Sequence, residues 1–192
     1  MSPAEQAERE RLRRAGVAAR NALTPAARRE RSLQAVERIA ASRVFLEART
    51  ILIYAAVRGE LSLDALPLRP EAAGKRLAYP RCLGPGEMAA YLPGKWEIGP
   101  YGIREPDPET SALLPPEELD LVLCPCTAFD AACNRLGMGG GYYDRYLPRC
   151  VHARVALAAF ECQRAERIPK APWERAAEAV FTESSLYFTI NY

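Results

Sequence analysis

Histidine occurs once in these 192 residues, as His152, and lysine only three times, as Lys75, Lys95 and Lys170. A lone histidine leaves any serine–histidine–aspartate chemistry hanging on one position, just past an expected helix end. No stretch reaches the ~18 apolar residues of a membrane-spanning helix, and the charged N-terminus does not resemble a signal peptide. Repeats, low-complexity tracts and clear linkers are missing too. So is an excess of one charge: 26 basic residues stand against 24 acidic ones, a net +2, which is not the footprint of a nucleic-acid binder. A membrane protein, a secreted precursor and a disordered tail are therefore not expected.

What is present suits a globular domain: 49% of residues are apolar and 26% charged. Residues 1–49 hold 11 arginines and 6 acidic residues, a balance of +5, which leaves −3 for the remainder. Six cysteines without an export signal point to a reducing cytoplasm, where thiols stay free. Cys124, Cys126, Cys133 and Cys150 lack the usual zinc-ligand spacing and read better as buried thiols. His152 reads as a surface residue.

Ser2-Pro3-Ala4-Glu5 is a helix start, and a polar, arginine-rich helix should run from it to about Leu23. Thr24-Pro25 repeats the signal, with Leu33, Val36, Ala40 and Val44 at helical spacing behind it. From Thr50 the pattern changes. Residues 51–57, 119–124, 155–160 and 179–181 are short apolar runs, the pattern of strands covered on both faces in a parallel sheet. Arg76–Tyr79 and Met88–Leu92 read as two strands around a Gly-Pro-Gly turn. Residues 62–71 should form a crossover helix, shortened or broken by Pro67 and Pro70. Residues 93–118 read as a long ordered loop. The expectation is α/β: one three-layer α/β/α sandwich over residues 1–192, with a mainly parallel sheet and an N-terminal helical segment, residues 1–45, packed on it.

The most informative segment runs from Asn134 to Tyr146. Four of the five residues from Gly137 to Gly141 are glycine, and each costs roughly 0.5–1 kcal/mol relative to alanine. Such a loop exists where something must approach the backbone closely or φ must be positive. A glycine-rich strand-to-helix loop presents several N–H groups beside a helix start, and phosphate is the obvious guest. Arg135 stands at its entrance, and Asp144 is placed to hold Mg2+ that also binds phosphate oxygens. On the glycines alone, a turn without a ligand remains the alternative, since neither familiar phosphate pattern is matched.

Ala128-Phe129-Asp130, Asn134-Arg135-Leu136-Gly137 and Gly139-Gly140-Gly141-Tyr142-Tyr143-Asp144-Arg145-Tyr146-Leu147 together closely resemble the signature of 5-formyltetrahydrofolate cyclo-ligases, also called methenyltetrahydrofolate synthetases. Arg9-x-x-Leu12-Arg13, Glu60, Tyr79-Pro80-Arg81 with Met88, Tyr101-Gly102-Ile103-Arg104-Glu105-Pro106 and Glu178-Ala179-Val180-Phe181-Thr182 extend the likeness over nearly the whole chain. The resemblance implies ATP- and Mg2+-dependent closure of 5-formyltetrahydrofolate to 5,10-methenyltetrahydrofolate, with release of ADP and phosphate, through phosphorylation of the formyl oxygen. By the same resemblance, Arg9, Arg13, Arg135, Leu136, Gly137, Met138, Gly139, Gly140, Gly141, Tyr142 and Tyr143 bind ATP, and Arg135 and Asp144 are the catalytic pair. Ala55, Glu60, Met88 and Tyr101, with Gly139, Gly140 and Tyr142, contact the folate, and Asp144 and Glu178 hold Mg2+. The partners implied are a reduced folate and ATP, without nucleic acid or membrane, and the chain acts as a monomer in the cytoplasm.

Arg9 replaces the family's usual lysine, Cys133 a glycine, Glu178 an aspartate, and Trp173-Glu174 a His-Asp pair. Without the resemblance, Arg9 and Arg13 read as a solvated helix face and Glu60 and Glu178 as exposed carboxylates, while Met88 and Tyr101 read as packing. A folate- or nucleotide-binding paralogue without turnover is the second reading. An RNA-binding module that uses the basic N-terminal segment is the third.

Overall fold

The structure, a computed structural model, describes residues 1–171 and 174–189. Helix α1 (Pro3–Asn21) opens as its sequence dictates. Glu5 N–H donates to the Ser2 hydroxyl, and the Glu5 carboxylate accepts the Ser2 N–H at 2.7 Å. Helix α2 (Pro25–Ala41) starts on Thr24, whose hydroxyl accepts the Ala27 N–H. Ser42, in extended backbone, ends α2 and caps a separate short helix α3 (Arg43–Glu47). Val44 therefore lies outside the helix expected for it. Leu33 is exposed, because the stripe that meets the core is Ser32, Ala35, Val36, Ile39 and Ala40.

Strands follow in chain order as β1 (Thr50–Leu52), β2 (Arg76–Gly84), β3 (Glu87–Leu92), β4 (Trp96–Ile98), β5 (Arg104–Pro106), β6 (Ala112–Leu114), β7 (Leu121–Pro125), β8 (Ala128–Phe129) and β9 (Arg135–Leu136). Helix α4 (Tyr142–Tyr146), β10 (Arg154–Ala158), β11 (Ala179–Phe181) and β12 (Leu186–Phe188) complete the fold. The main sheet has the order β12-β11-β10-β7-β1-β2-β3-β6. Its five central strands, from β11 to β2, run parallel, and antiparallel pairing adds β12 at one edge and β3 and β6 at the other.

Successive residues of the central strands point to opposite faces. Ile51, Leu121, Leu123, Ala156 and Phe181 pack with Val36, Ile39 and Phe45 from α2 and α3. Leu52, Val122, Cys124, Leu157 and Val180 pack on the other side with Tyr146 and Leu147 from α4 and the turn after it. That two-sided burial is why these strands read as continuous apolar runs.

Two connections and one edge strand differ from expectation. Between β1 and β2 the chain makes two 3-10 turns, Leu66–Leu68 and Pro70–Ala72, in place of a crossover helix. Each has a proline in its first turn, and proline removes the donor that a longer helix would need. Residues 93–118, expected to be loop throughout, contain β4, β5 and β6. The β4–β5 hairpin is braced by Arg104 over Trp96 (5.0 Å) and by Trp96 edge-on to Tyr79 (4.7 Å). Strand β12 was not anticipated, because three residues are too short to show a period.

Helix α1 does not join the main sheet layers. Its buried stripe is Arg9, Leu12, Gly16 and Arg20, and Leu12 packs on Ala128, Leu136 and Ile168. At Gly16 the helix touches main chain directly: a Cβ there would lie 1.9 Å from the Thr127 carbonyl oxygen. Main chain cannot rotate away as a flexible side chain can. Gly16→Ala should therefore cost about 3 kcal/mol and lower Tm by roughly 6–12 °C in a circular-dichroism melt. At a free helical position the same change would stabilise by up to ~1 kcal/mol, so an unchanged or raised Tm would refute the contact.

Candidate functional site

A cleft of about 490 Å3 opens over the C-terminal ends of β1 and β7, where Tyr54, Ala55, Pro125 and Cys126 line its floor. Open parallel sheets place ligands at this end of their strands, and the volume suits a small-molecule site. Helix α1, the glycine loop and the β2–β3 hairpin supply the walls.

The loop after β9 is held open by its backbone. Gly139 has φ +100° and Gly141 φ +70°, a region that side chains make costly, and Gly141 is the N-cap of α4. Arginines grip the loop's carbonyls: Arg13 Nε donates to Gly137 O at 3.0 Å, and Arg145 donates to Gly140 O at 2.6 Å. Among the described residues, the N–H groups of Gly139, Gly140 and Gly141 donate to no protein acceptor. Gly137, Met138, Gly139, Gly140 and Gly141 all line the cleft, with Tyr142 and Tyr143 beside them. Helix α4 spans only five residues, so its dipole is a small contribution and the positive charge here comes from side chains.

Those side chains already have partners. Arg9 is buried and grips Glu174 bidentately, at 2.8 and 2.5 Å, with a third bond to Pro169 O at 2.6 Å. Arg135 pairs with Asp144 and lies 5.4 Å above the Tyr143 ring. Burial by itself would push the Glu174 carboxyl up. Hydrogen bonds from Arg9 and the Ala171 N–H, with the charges of Arg9 and Arg135, hold it below its ordinary value. Alternating charge thus runs along one wall.

The opposite end is more apolar. Met88 is 5% exposed among core residues, and half-exposed Tyr101 accepts a hydrogen bond from the Tyr142 hydroxyl at 2.8 Å, with the rings edge-on. Burial and that contact push the Tyr142 hydroxyl up to about 12. Glu60 accepts the Val57 N–H at 3.1 Å and stands 3.8 Å from Arg20. Burial raises its carboxyl above the usual range, against the pull of the Val57 N–H and Arg20. With Ala55, these four reach one cleft, as the resemblance implies.

Leu136 and Glu178 do not join them. Leu136 is fully buried against Leu12, Ala128 and Ile168. Glu178 lies at the N-terminal end of β11, 3.6 Å from Arg175 and off the cleft lining, because parallel strands start on the edge away from the site. Trp173 lies outside the described residues. His152 is exposed and lines no part of the cleft. Cys124, Cys126, Cys133 and Cys150 are buried free thiols, and burial pushes Cys124 and Cys126 up to about 12.

Several lining residues escaped the sequence. Arg20 is 0% exposed, and its Nε and Nη2 find no acceptor among the described residues. Glu105 is 1% exposed with Oε2 unpartnered, and its carboxylate packs so close to Gly99 that a Cβ there would come within 2.4 Å. Glu174 completes the set. Spacing along α1, with Leu12, Gly16 and Arg20 four residues apart, carried a signal for Arg20, while Glu105 and Glu174 stood in segments named for the resemblance without a role. Tyr143, expected to bind ATP, lines the cleft with its hydroxyl unpartnered among the described residues.

As to a metal, no three His, Cys, Asp or Glu side chains converge among the described residues. Mg2+ does not require such a cage, since one or two carboxylates plus substrate phosphates and water suffice. The Asp144 side chain, 37% exposed at the cleft, fits that limited role.

The sequence model of the 5-formyltetrahydrofolate cyclo-ligase family matches residues 4–183. The 5-formyltetrahydrofolate cyclo-ligase of Escherichia coli K12 is 31% identical over 175 residues, covering 88% of this chain and 96% of that one. The Haemophilus influenzae enzyme of the same name is 35% identical over 137 residues, 67% of this chain and 72% of that one. Among solved structures, the 5,10-methenyltetrahydrofolate synthetase of Aquifex aeolicus superposes with a TM-score of 0.82 at 29% identity, over 96% of this chain and 94% of the other.

The Arg9–Glu174 pair generates a prediction. Glu174→Gln removes the charge that matches a buried guanidinium and should cost about 3 kcal/mol at pH 7 by urea denaturation. Because the folded Glu174 carboxyl lies below its unfolded value near 4.5, its contribution is complete above that pH and is lost as pH falls through the folded value. The gap between wild type and variant should therefore narrow in acid. A constant gap down to pH 3 would contradict the ion pair.

Proposed function

The chain belongs to the 5-formyltetrahydrofolate cyclo-ligase family, and from that premise we propose how its cleft performs the reaction. The function is ATP-dependent conversion of 5-formyltetrahydrofolate to 5,10-methenyltetrahydrofolate. One observation carries the assignment of residues: the glycine loop, with idle N–H groups and arginines behind it, shares a single cleft with Glu60, Met88 and Tyr101.

A formamide oxygen is a poor leaving group, so the second folate nitrogen cannot expel it unaided. The formyl oxygen attacks the γ-phosphorus of ATP; the bond to the bridging oxygen breaks and ADP leaves. The second nitrogen then attacks the activated formyl carbon, the carbon–oxygen bond breaks, phosphate departs, and the nitrogen's proton passes to solvent. Such transfers need positioning and charge neutralisation more than a protein nucleophile.

The N–H groups of Gly139, Gly140 and Gly141 hold the triphosphate, and Arg13, already bound to Gly137 O, fixes the loop against α1. Arg9 and Arg135 exchange Glu174 and Asp144 for phosphate oxygens as the nucleotide enters. Asp144, released from Arg135, is the carboxylate that would hold Mg2+, which when bound neutralises charge on the transferring phosphoryl group. Glu60 accepts from the pterin ring's N–H donors, and Met88 with the Tyr101–Tyr142 pair walls the ring. The chain acts as a single-domain monomer in the cytoplasm: both apolar faces of the sheet are covered from within, and its cysteines are free thiols.

Incubation with 5-formyltetrahydrofolate, ATP and Mg2+ should raise the methenyl absorbance band and release one phosphate per product. Asp144→Asn should stay folded and lose turnover at least ~100-fold, about 2.7 kcal/mol of transition-state stabilisation. Gly140→Val should raise KM for ATP, because its side chain meets the Tyr142 ring, already 2.9 Å from a Cβ at 140. Ligand binding without phosphate release by folded wild type would instead identify a non-catalytic paralogue, and undiminished turnover of Asp144→Asn would refute the metal assignment.

A further inference from the structure

Arg20 is a feature of the cleft that neither stability nor the roles above explain. It is fully buried, yet its Nη1 reaches only Cys126 O, at 3.4 Å, while Nε and Nη2 have no acceptor among the described residues. Arg9, on the same helix face, makes three good hydrogen bonds, so its donors are satisfied. A guanidinium cannot shed its proton at ordinary pH, so burying it with idle donors costs stability and calls for a compensating role. The nearest opposite charge is Glu60, at 3.8 Å, too far for a hydrogen bond and near enough for strong attraction at low dielectric. Glu60 itself is 10% exposed, lines the same cleft, and spends Oε2 on the Val57 N–H.

We propose that Arg20 is a positioning residue, the counter-ion that keeps Glu60 a charged acceptor for the N–H donors of the substrate's ring. The inference rests on the folate reading for the identity of that ring; the charge relation itself does not depend on it. The groups facing Glu60 are Arg20 from α1, Arg58 in its own turn, Tyr54 after β1, Cys126 after β7 and Tyr143 from α4. Arg28, Arg29 and Asp64 line the groove on its outer side. Tyr54, Cys126 and Tyr143 ionise only to anions, and burial keeps them neutral, so none is a counter-charge for a carboxylate. Burial drives Glu60 toward its neutral form, and among the cations Arg20 opposes this more strongly than Arg58. A neutral Glu60 donates as well as accepts, and so loses its preference for ring N–H donors.

The test is the pH dependence of kcat/KM for 5-formyltetrahydrofolate. Removing the cation makes Glu60 harder to ionise, so Arg20→Met should move the acid limb of the profile up by about 1 to 2 pH units. That amounts to a loss of roughly 10- to 100-fold on the acid side, recovered in alkali, while KM for ATP does not move. Arg20→Lys should keep the limb close to wild type. Carbon-13 titration of the Glu60 carboxyl carbon, without substrate, should show wild type ionised at pH 7 and Arg20→Met titrating higher. A wild-type Glu60 still protonated at pH 7 overturns the proposal, and does so even if neither variant folds. So does an Arg20→Met profile that falls equally at every pH. A wild type that shows the expected titration but neither binds nor turns over the folate defeats the functional reading alone.

Discussion

The site depends on how closely α1 lies against the chain that follows β7. No side chain fits between residue 16 and the Thr127 carbonyl, so glycine there lets the helix axis drop onto main chain. Every α1 contribution to the cleft follows from that approach. Arg9 lies three residues before Leu12 and Arg20 four after Gly16 on one stripe, and Arg13 reaches Gly137 O from its border. A helix held a few ångströms further out would present the same arginines to water. The basic balance of residues 1–49 is therefore partly an inward-facing charge.

The cleft stores charge as pairs. Arg9 with Glu174 and Arg135 with Asp144 keep two guanidinium groups neutralised at the wall that the proposed function gives to the triphosphate. An unpaired buried cation is costly, whereas a paired one is inexpensive to hold and is released when a better anion arrives. The loop gains by the same logic. Its carbonyls are occupied by Arg13 and Arg145, which leaves N–H groups as its exposed polarity. The polarity it presents is thus set by which of its groups the protein has already engaged.

Much of this was legible in the residues. The apolar runs at 51–57, 119–124, 155–160 and 179–181 located the parallel strands, because burial on both faces leaves no polar alternation to confuse them. Capping at Ser2 and Thr24 located both long helices. Short elements were not legible: β4, β5, β6 and β12 span three residues each, fewer than any period needs, and are held by partners distant in sequence. The site divided in the same way. Gly139, Gly141 and Asp144 sit in one contiguous signature, whereas Glu174, Glu105 and Arg20 matter only through neighbours brought in by folding. Glu178 was placed by motif, but strand direction carries it to the far edge of the sheet. Leu33 shows a simpler limit, since helical spacing admits two adjacent stripes and only packing decides between them.

The partners of α1 lie far along the chain: Cys126 is 106 residues beyond Arg20, and Glu174 is 165 beyond Arg9. Helix α1 is thus seated by residues far from it in sequence. A nascent polypeptide cut short after β10 would retain most of its strands but leave Arg9 without its counter-charge. The wall formed by Arg9 and Glu174 is thus closed only by joining the two ends of the described chain, and a truncation at either end opens it.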